Sequence, residues 1–349
     1  MFRQPGTFMV PFRVGSASRT RSKAARAPPW CAAPALLTFP GRGTPLGFWD
    51  SIRGMFSGGA GEAAAAGGTL TVAELARRLG VAEAELRALR PAYRRFQVPK
   101  RAGGYRTIYE PDEPLKRVQR LVLRRLLRRL ASHPAAHGFE RGRSIVTCAL
   151  PHARRAVVLR MDIRDFFPST RAARVEKYFR RVGWDAEAAA LLARLCTHGG
   201  GLPQGAPTSP RLSNLVNFQL DARLDALARK CGAAYTRYAD DLTFSFAADD
   251  REQIRQVLRV TKEVVGQAEY RLHTDKKLRV LRRHQRQTVA GLVVNERVRL
   301  PRRTRRRLRA VEHRASQWRA VTLTPAQLEG WRALQKMVAE QSKDGAAPE

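Results

Sequence analysis

Apolar residues recur along the chain with two different periods, and the switches between them mark out the elements. From Thr71, whose hydroxyl suits a helix start, Leu75 and Leu79 fall on one helical face, and Leu86 and Leu89 continue in a second short helix. Tyr105 to Tyr109 reads as a strand. Leu115 to Leu130 returns to helical spacing, with Val118, Leu121, Val122 and Leu126 on one side and Arg120, Arg124, Arg125, Arg128 and Arg129 on the other. The run Val157-Val158-Leu159-Arg160-Met161-Asp162-Ile163 predicts a buried strand ending on a carboxylate, and Phe166-Phe167-Pro168 leads into a helix near Ser169. Further helices are predicted through Leu191, Leu192 and Leu195 and from Leu212 to Leu227. Tyr235 to Tyr238 and Leu242 to Phe246 predict two strands of a hairpin around Ala239-Asp240-Asp241. A helix from Glu252 to Tyr270, a short strand pair between Leu278 and Val294 and a basic helical tail complete the pattern. Together these elements predict a mixed α/β (α+β) fold without internal repeats.

Charge adds a partner to this picture. The 349 residues hold 65 Lys and Arg against 30 Asp and Glu, a formal +35, which repels itself unless a polyanion is the usual neighbour. Nucleic acid is the expected partner; Arg-rich codon usage and solvated helix faces are the alternative source of the excess. Cys31, Cys148, Cys196 and Cys231 are scattered without zinc or disulfide spacing, which fits a reducing cytoplasm. No apolar run reaches the roughly 18 residues that span a bilayer. Residues 1–67 are rich in Gly, Ala, Pro, Ser and Arg, and are expected to be a disordered basic extension. A targeting segment, or translation upstream of a start at Met55, would leave the same composition.

Asp162 at a strand end and Asp240 with Asp241 in a hairpin turn are the candidate chemistry. Extension of a polynucleotide is an in-line phosphoryl transfer, and two divalent ions held by hard carboxylate oxygens can stabilise both the attacking and the leaving oxygen. An isolated Asp-Asp pair is more often simple turn chemistry, so its surroundings decide.

Those surroundings are specific. Tyr238-Ala239-Asp240-Asp241 resembles the YxDD box of reverse transcriptases, Met161-Asp162-Ile163-Arg164-Asp165-Phe166-Phe167-Pro168-Ser169 resembles their first aspartate motif, and Leu202-Pro203-Gln204-Gly205-Ala206-Pro207-Thr208-Ser209-Pro210 resembles their LPQGxPxSP loop. The resemblance runs from about Tyr105 to Arg309. It implies a right-hand polymerase with fingers and a palm carrying a split βαβ sheet within 68–280, followed by a helical basic thumb and tail within 281–349. Asp162, Asp240 and Asp241 are then the catalytic ligands of two Mg2+ ions, with Mn2+ a workable substitute. Nucleotide contacts would come from Arg106 on the triphosphate, Phe167 under the sugar where it rejects a 2′-hydroxyl, and Gln204 beside the incoming base, while Gly205 allows close backbone approach. Lys277 corresponds to a lysine near the leaving pyrophosphate, but the NxxKT-like pattern here reads Thr274-Asp275-Lys276-Lys277-Leu278, so Lys276 competes for that place.

Two further segments resemble retron reverse transcriptases, with departures at hallmark residues. Cys148-Ala149-Leu150-Pro151-His152 resembles their NAxxH element with Cys for Asn, and Val289-Ala290-Gly291 resembles their VTG element with Ala for Thr. His152 is open to two roles, a catalytic base or a hydrogen-bonded structural residue. Arg302, Arg303, Arg305, Arg306 and Arg307 open the expected thumb helix, where family members bind template RNA. The retron resemblance implies dNTP addition to a primer on a structured non-coding RNA. The product would be RNA-linked single-stranded DNA (msDNA), primed from a guanosine 2′-hydroxyl, that serves antiphage defence with an effector protein. An intron-type or other defence-associated reverse transcriptase, or a non-catalytic RNA-binding relic, are the alternatives.

Overall fold

The structure is a computed structural model that describes residues 70–100, 103–273, 278–317 and 322–344. The expectations for residues 1–67 and for Lys276 and Lys277 fall outside the described residues. All that follows concerns the unit Gly58–Glu349.

Thr71 caps α1 (Val72–Leu79) by accepting from the Glu74 amide, and Gly80 in the left-handed conformation closes it before α2 (Glu83–Ala88). β1 (Tyr93–Pro99) and β2 (Tyr105–Pro111) form an antiparallel hairpin. β1 escapes the sequence pattern because it is exposed along almost its whole length, so no apolar alternation marks it.

The predicted helix from Leu115 to Leu130 is three pieces: α3 (Glu113–Leu121), a π-helical turn over Val122–Leu126 and a 3₁₀ turn over Leu127–Arg129. The wider π turn brings Val122, Leu126 and Leu127 together into the core, while Arg124, Arg125, Arg128 and Arg129 stay in solvent.

The central sheet has the order β4-β5-β3-β6, built from β3 (Val157–Asp162), β4 (Ala234–Tyr238), β5 (Asp241–Phe246) and β6 (Arg279–Arg282). Each neighbouring pair is antiparallel, so β3 and β4 run parallel with β5 between them, the split βαβ arrangement. The crossover from β3 to β4 carries α5 (Phe166–Ser169), α6 (Ala172–Arg181), α7 (Ala186–Cys196), α8 (Ser209–Val216) and α9 (Phe218–Lys230). One helix was expected where α8 and α9 stand. They break at Asn217, a fully buried residue whose amide donates to the Ser213 carbonyl and the Tyr270 hydroxyl and accepts from Arg174. Such side-chain bonding competes with continued helix.

The two sheet faces differ. Leu159, Met161, Tyr235, Leu242 and Phe244 make a buried face, and the Tyr235 hydroxyl reaches Asp221 of α9. The opposite face carries Val158, Thr236, Thr243 and Ser245 and is met by α4 (Ile145–Ala149) and the turn through His152. α10 (Arg251–Gln267) follows β5. The strand pair expected between Leu278 and Val294 divides: β6 joins the central sheet beside β3, and β7 (Thr288–Val289) pairs with β8 (Leu292–Val293). α11 (Arg302–Ser316) starts after Pro301, and α12 (Pro325–Asp344) returns to bury Val338 with Val146, Val289 and Leu308. Among the described residues, no helix is long and apolar enough to cross a membrane.

Candidate active site

The end of the central sheet carries the three aspartates of the sequence motifs. Asp162 is the last residue of β3 and lies in register opposite Asp241, the first residue of β5. Directly opposed residues of an antiparallel pair present side chains to the same face. Asp240 sits beside them in a two-residue turn, and its carbonyl accepts from the Ile163 amide at 2.9 Å. Asp162 is 6% exposed; Asp240 and Asp241 are half-buried.

Each carboxylate has its own environment. Arg160, two residues before Asp162 and therefore on the same face, donates from one guanidinium nitrogen to both Asp241 oxygens at 3.2 and 3.3 Å, while its other terminal nitrogen faces Thr288 of β7 at 3.4 Å. His273 lies at 3.6 Å from Asp162 through Nε2, and its amide donates to the Asp162 carbonyl at 2.9 Å. Among the described residues no set of three or more His, Cys, Asp or Glu side chains is drawn together to hold an ion. What fits a magnesium ion is the donor chemistry, carboxylate oxygens on a rigid sheet end, with Asp241 engaged by Arg160.

Aromatic rings border the site. Phe167 leaves β3 half-buried, with the Phe166 ring at 5.5 Å and the Phe139 ring at 6.0 Å between centroids. Phe139 is 46% exposed, has φ of 64° and lies 6.5 Å from the Tyr238 ring. Gly138 explains the approach: a Cβ there would come within 2.9 Å of the Ala239 amide. The LPQG loop reaches the hairpin of β1 and β2, since the Tyr109 amide donates to the Gln204 carbonyl at 2.8 Å. Gln204 is half-buried and Arg106 is exposed on β2. On α11, Arg302, Arg303, Arg306 and Arg307 are exposed, whereas Arg305 is half-buried and its Nε has no partner among the described residues.

The site and the split sheet agree with the family match: the reverse transcriptase (RNA-dependent DNA polymerase) family matches residues 98–292. The chain belongs to that family. Reverse transcriptases of retrons are among its curated relatives. Retron Mx65 reverse transcriptase of Myxococcus xanthus is 41% identical over 264 residues, covering 70% of this chain and 61% of its own length. Retron Mx162 reverse transcriptase of the same organism is 41% identical over 253 residues, covering 63% and 52%. Retron Ec86 reverse transcriptase of Escherichia coli is 43% identical over 155 residues, covering 44% and 48%. The chain thus spans about half to three fifths of the length of these relatives. The retron resemblance holds despite Cys148 and Ala290 at hallmark positions, and the central sheet is the reverse transcriptase palm.

Of the two roles open to His152, the structure supports the structural one. The ring is fully buried, with Nδ1 at 2.7 Å from Ser245 Oγ and Nε2 at 2.7 Å from Thr236 Oγ1. Burial, aided by His137 and Arg155, pushes its pKa down to about 3, so it is neutral and clamps β4 to β5 from the α4 side. Cys148 packs into the same seam, 3.3 Å from Thr236 Oγ1, and burial raises its thiol to about 11.

Sequence reasoning passed over Arg160, Arg237 and Phe139. A signal existed for the first two. Each is a charge at an inner position of a predicted strand, on a face that period-two alternation places next to a carboxylate or in the core. Phe139 had none, because its place beside Phe167 depends on the fold of a loop.

Proposed function

We propose that the protein is an RNA-directed DNA polymerase of the retron type, adding deoxynucleotides to a primer on a structured non-coding RNA and leaving RNA-linked single-stranded DNA. The observation that carries this reading is the register of Asp162 against Asp241, with Asp240 beside them at the palm sheet end. Divalent ions serve the family in general. Here two Mg2+ ions, or Mn2+ in their place, would neutralise charge on the attacking and leaving oxygens. Asp162 and Asp240 are the principal ligands. Asp241, shared with Arg160, is the secondary one.

The remaining residues bind and orient. Arg106 grips the triphosphate with a guanidinium fork, Gln204 lines the pocket near the template base, and Lys277 or its neighbour Lys276 lies near the leaving pyrophosphate. Phe167 closes the space beneath the sugar. The thumb arginines hold RNA through its phosphates, which requires no base readout. An effector protein and a role in antiphage defence complete the retron reading. Purified enzyme with its copurifying RNA should incorporate dNTPs only when Mg2+ or Mn2+ is present. Sequencing of that nucleic acid should return one structured RNA joined to its DNA copy. Absence of incorporation on that RNA would exclude the polymerase reading.

Phe167→Ala should raise ribonucleotide use by at least about tenfold relative to deoxynucleotide use, because the ring no longer opposes the 2′-hydroxyl. The quantity to measure is the ratio of kcat/KM for dNTP and rNTP. An unchanged ratio in a folded variant returns Phe167 to the core alone.

Arg303 and Arg307 lie four apart on the exposed side of α11. Replacing both by Ala should weaken cognate and unrelated structured RNA alike, and each lost phosphate contact should lower the slope of log K against log salt by roughly 0.7 to 0.9. A salt titration against both RNAs checks this, and loss of cognate binding alone would contradict it.

A further inference from the structure

The two-residue turn that holds Asp240 is built against its own preference. Ala239 adopts φ of 56°, a left-handed conformation that favours glycine and that other residues keep only where the surroundings impose it. Two donors fix the consecutive carbonyls of this turn. The Ile163 amide takes the Asp240 oxygen at 2.9 Å, and Nη1 of Arg237 takes the Ala239 oxygen at 3.1 Å.

Arg237 is itself immobilised. Its side chain and that of Asp221 on α9 are both fully buried, and they form a two-pronged pair, Nε to Oδ1 at 2.7 Å and Nη2 to Oδ2 at 2.6 Å. Tyr235 donates its hydroxyl to the same Oδ1 at 3.0 Å. The guanidinium carbon lies 5.6 Å from the centre of the Phe166 ring, on the exit from β3. The Arg237 backbone is held as well, its amide by the Ala135 carbonyl at 2.7 Å and its carbonyl by the His137 amide at 2.8 Å. A fully buried ion pair contributes little to stability compared with apolar packing of the same volume, so stability alone is a weak reason for its presence. What it does that apolar packing could not is present a fixed donor to the Ala239 carbonyl.

We propose that Asp221 and Arg237 form a buried positioning pair that locks the Ala239-Asp240 turn, so that the Asp240 carboxylate is held where chemistry needs it. This rests on the reading of Asp240 as a metal ligand. Neither residue of the pair touches substrate. Their effect passes through the backbone of the turn, and a shift of about 1 Å in such a group can cost about 100-fold in rate.

The test uses the full-length enzyme with its RNA. Removing one partner would strand a buried charge, so the primary variant replaces the whole polar set with apolar residues, Asp221→Leu, Tyr235→Phe and Arg237→Met together. A second variant, Arg237→Lys, keeps the charge opposite Asp221 but loses the fork that also reaches Ala239. Both are expected to lower kcat about 100-fold while KM for dNTP and affinity for RNA stay within about threefold, and to speed hydrogen exchange of the amides at 238–241. The exchange is read without nucleotide and does not depend on turnover. Unchanged exchange in a folded variant overturns the positioning role, and so does faster exchange with wild-type kcat. A parallel fall of kcat, dNTP binding and RNA affinity overturns it too, since that is general loosening of the palm. An active Asp240→Asn enzyme removes the metal-ligand reading instead, and the exchange result then stands by itself.

Discussion

Asp240→Asn is expected to eliminate Mg2+-dependent extension, by roughly a thousandfold or more, while fold and RNA affinity stay near wild type. Asn keeps the size of Asp and loses its charge, and hard divalent ions discriminate strongly between carboxylate and amide ligands. Stabilisation of the transferring phosphoryl group by bound ions is worth several kcal/mol, and each ~1.4 kcal/mol is tenfold in rate. The turn should survive, because its bonds to Ile163 and Arg237 use the backbone carbonyls of Asp240 and Ala239 rather than the carboxylate. Asp241→Asn should cost less. That carboxylate already shares its charge with the Arg160 guanidinium, so less of it is open to an ion. Single-turnover extension and RNA binding, measured side by side for both variants, check the ranking. Near-wild-type extension by Asp240→Asn would end the carboxylate assignment.

The ranking of the two aspartates illustrates what sequence carries and what it does not. The strand, turn and strand around Ala239-Asp240-Asp241, and the carboxylate closing the strand before Phe166, are local patterns, and both are where periodicity places them. Motif order then identifies the family. The partner of each carboxylate is a non-local fact. Arg160 reaches Asp241 only because β3 and β5 pair in one register, and a slip of one residue would send it to the opposite face. Asp221 on α9 meets Arg237 on β4 across 16 residues of sequence, once α9 packs against the sheet. The break at Asn217 and the π turn at Val122–Leu126 were likewise hidden, since apolar spacing continues through both while the backbone changes to satisfy a buried amide or to bring extra leucines inward. The retron resemblance survived its two departures for a similar reason. His152, the member of the NAxxH-like element that clamps the sheet, is intact, and Cys148 fills the neighbouring space as a small buried group.

Gly205→Ala should be among the most damaging single substitutions outside the carboxylates. Gly205 has φ of 125°, a conformation L residues rarely adopt, and a Cβ there would stand 2.8 Å from both the Ile108 Cγ2 and the Tyr109 carbonyl oxygen. Backbone strain of this kind costs about 1–3 kcal/mol, and overpacking adds a further ~1–3 kcal/mol. The loop has little room to yield. The Gln204 carbonyl is already bonded to the Tyr109 amide, and Ser209 donates to the Pro203 carbonyl at 2.7 Å. Relief therefore requires the loop to part from β2, which would separate Gln204 from the strand that carries Arg106. The expected result is a melting temperature lowered by several degrees together with a rise in KM for dNTP of about tenfold or more, because the two residues proposed to bind the nucleotide lose their common frame. Gly266 is the matched control: it lies in α10 with nothing within 4 Å of an added Cβ and no positive φ. Gly266→Ala should leave KM unchanged and stabilise by about 0.4–1 kcal/mol, since alanine loses less chain entropy in a helix. Thermal melts and dNTP titrations of the two variants distinguish the effects. If Gly205→Ala destabilised the protein without moving KM, the loop would be a structural strut and Gln204 would not belong to the nucleotide site.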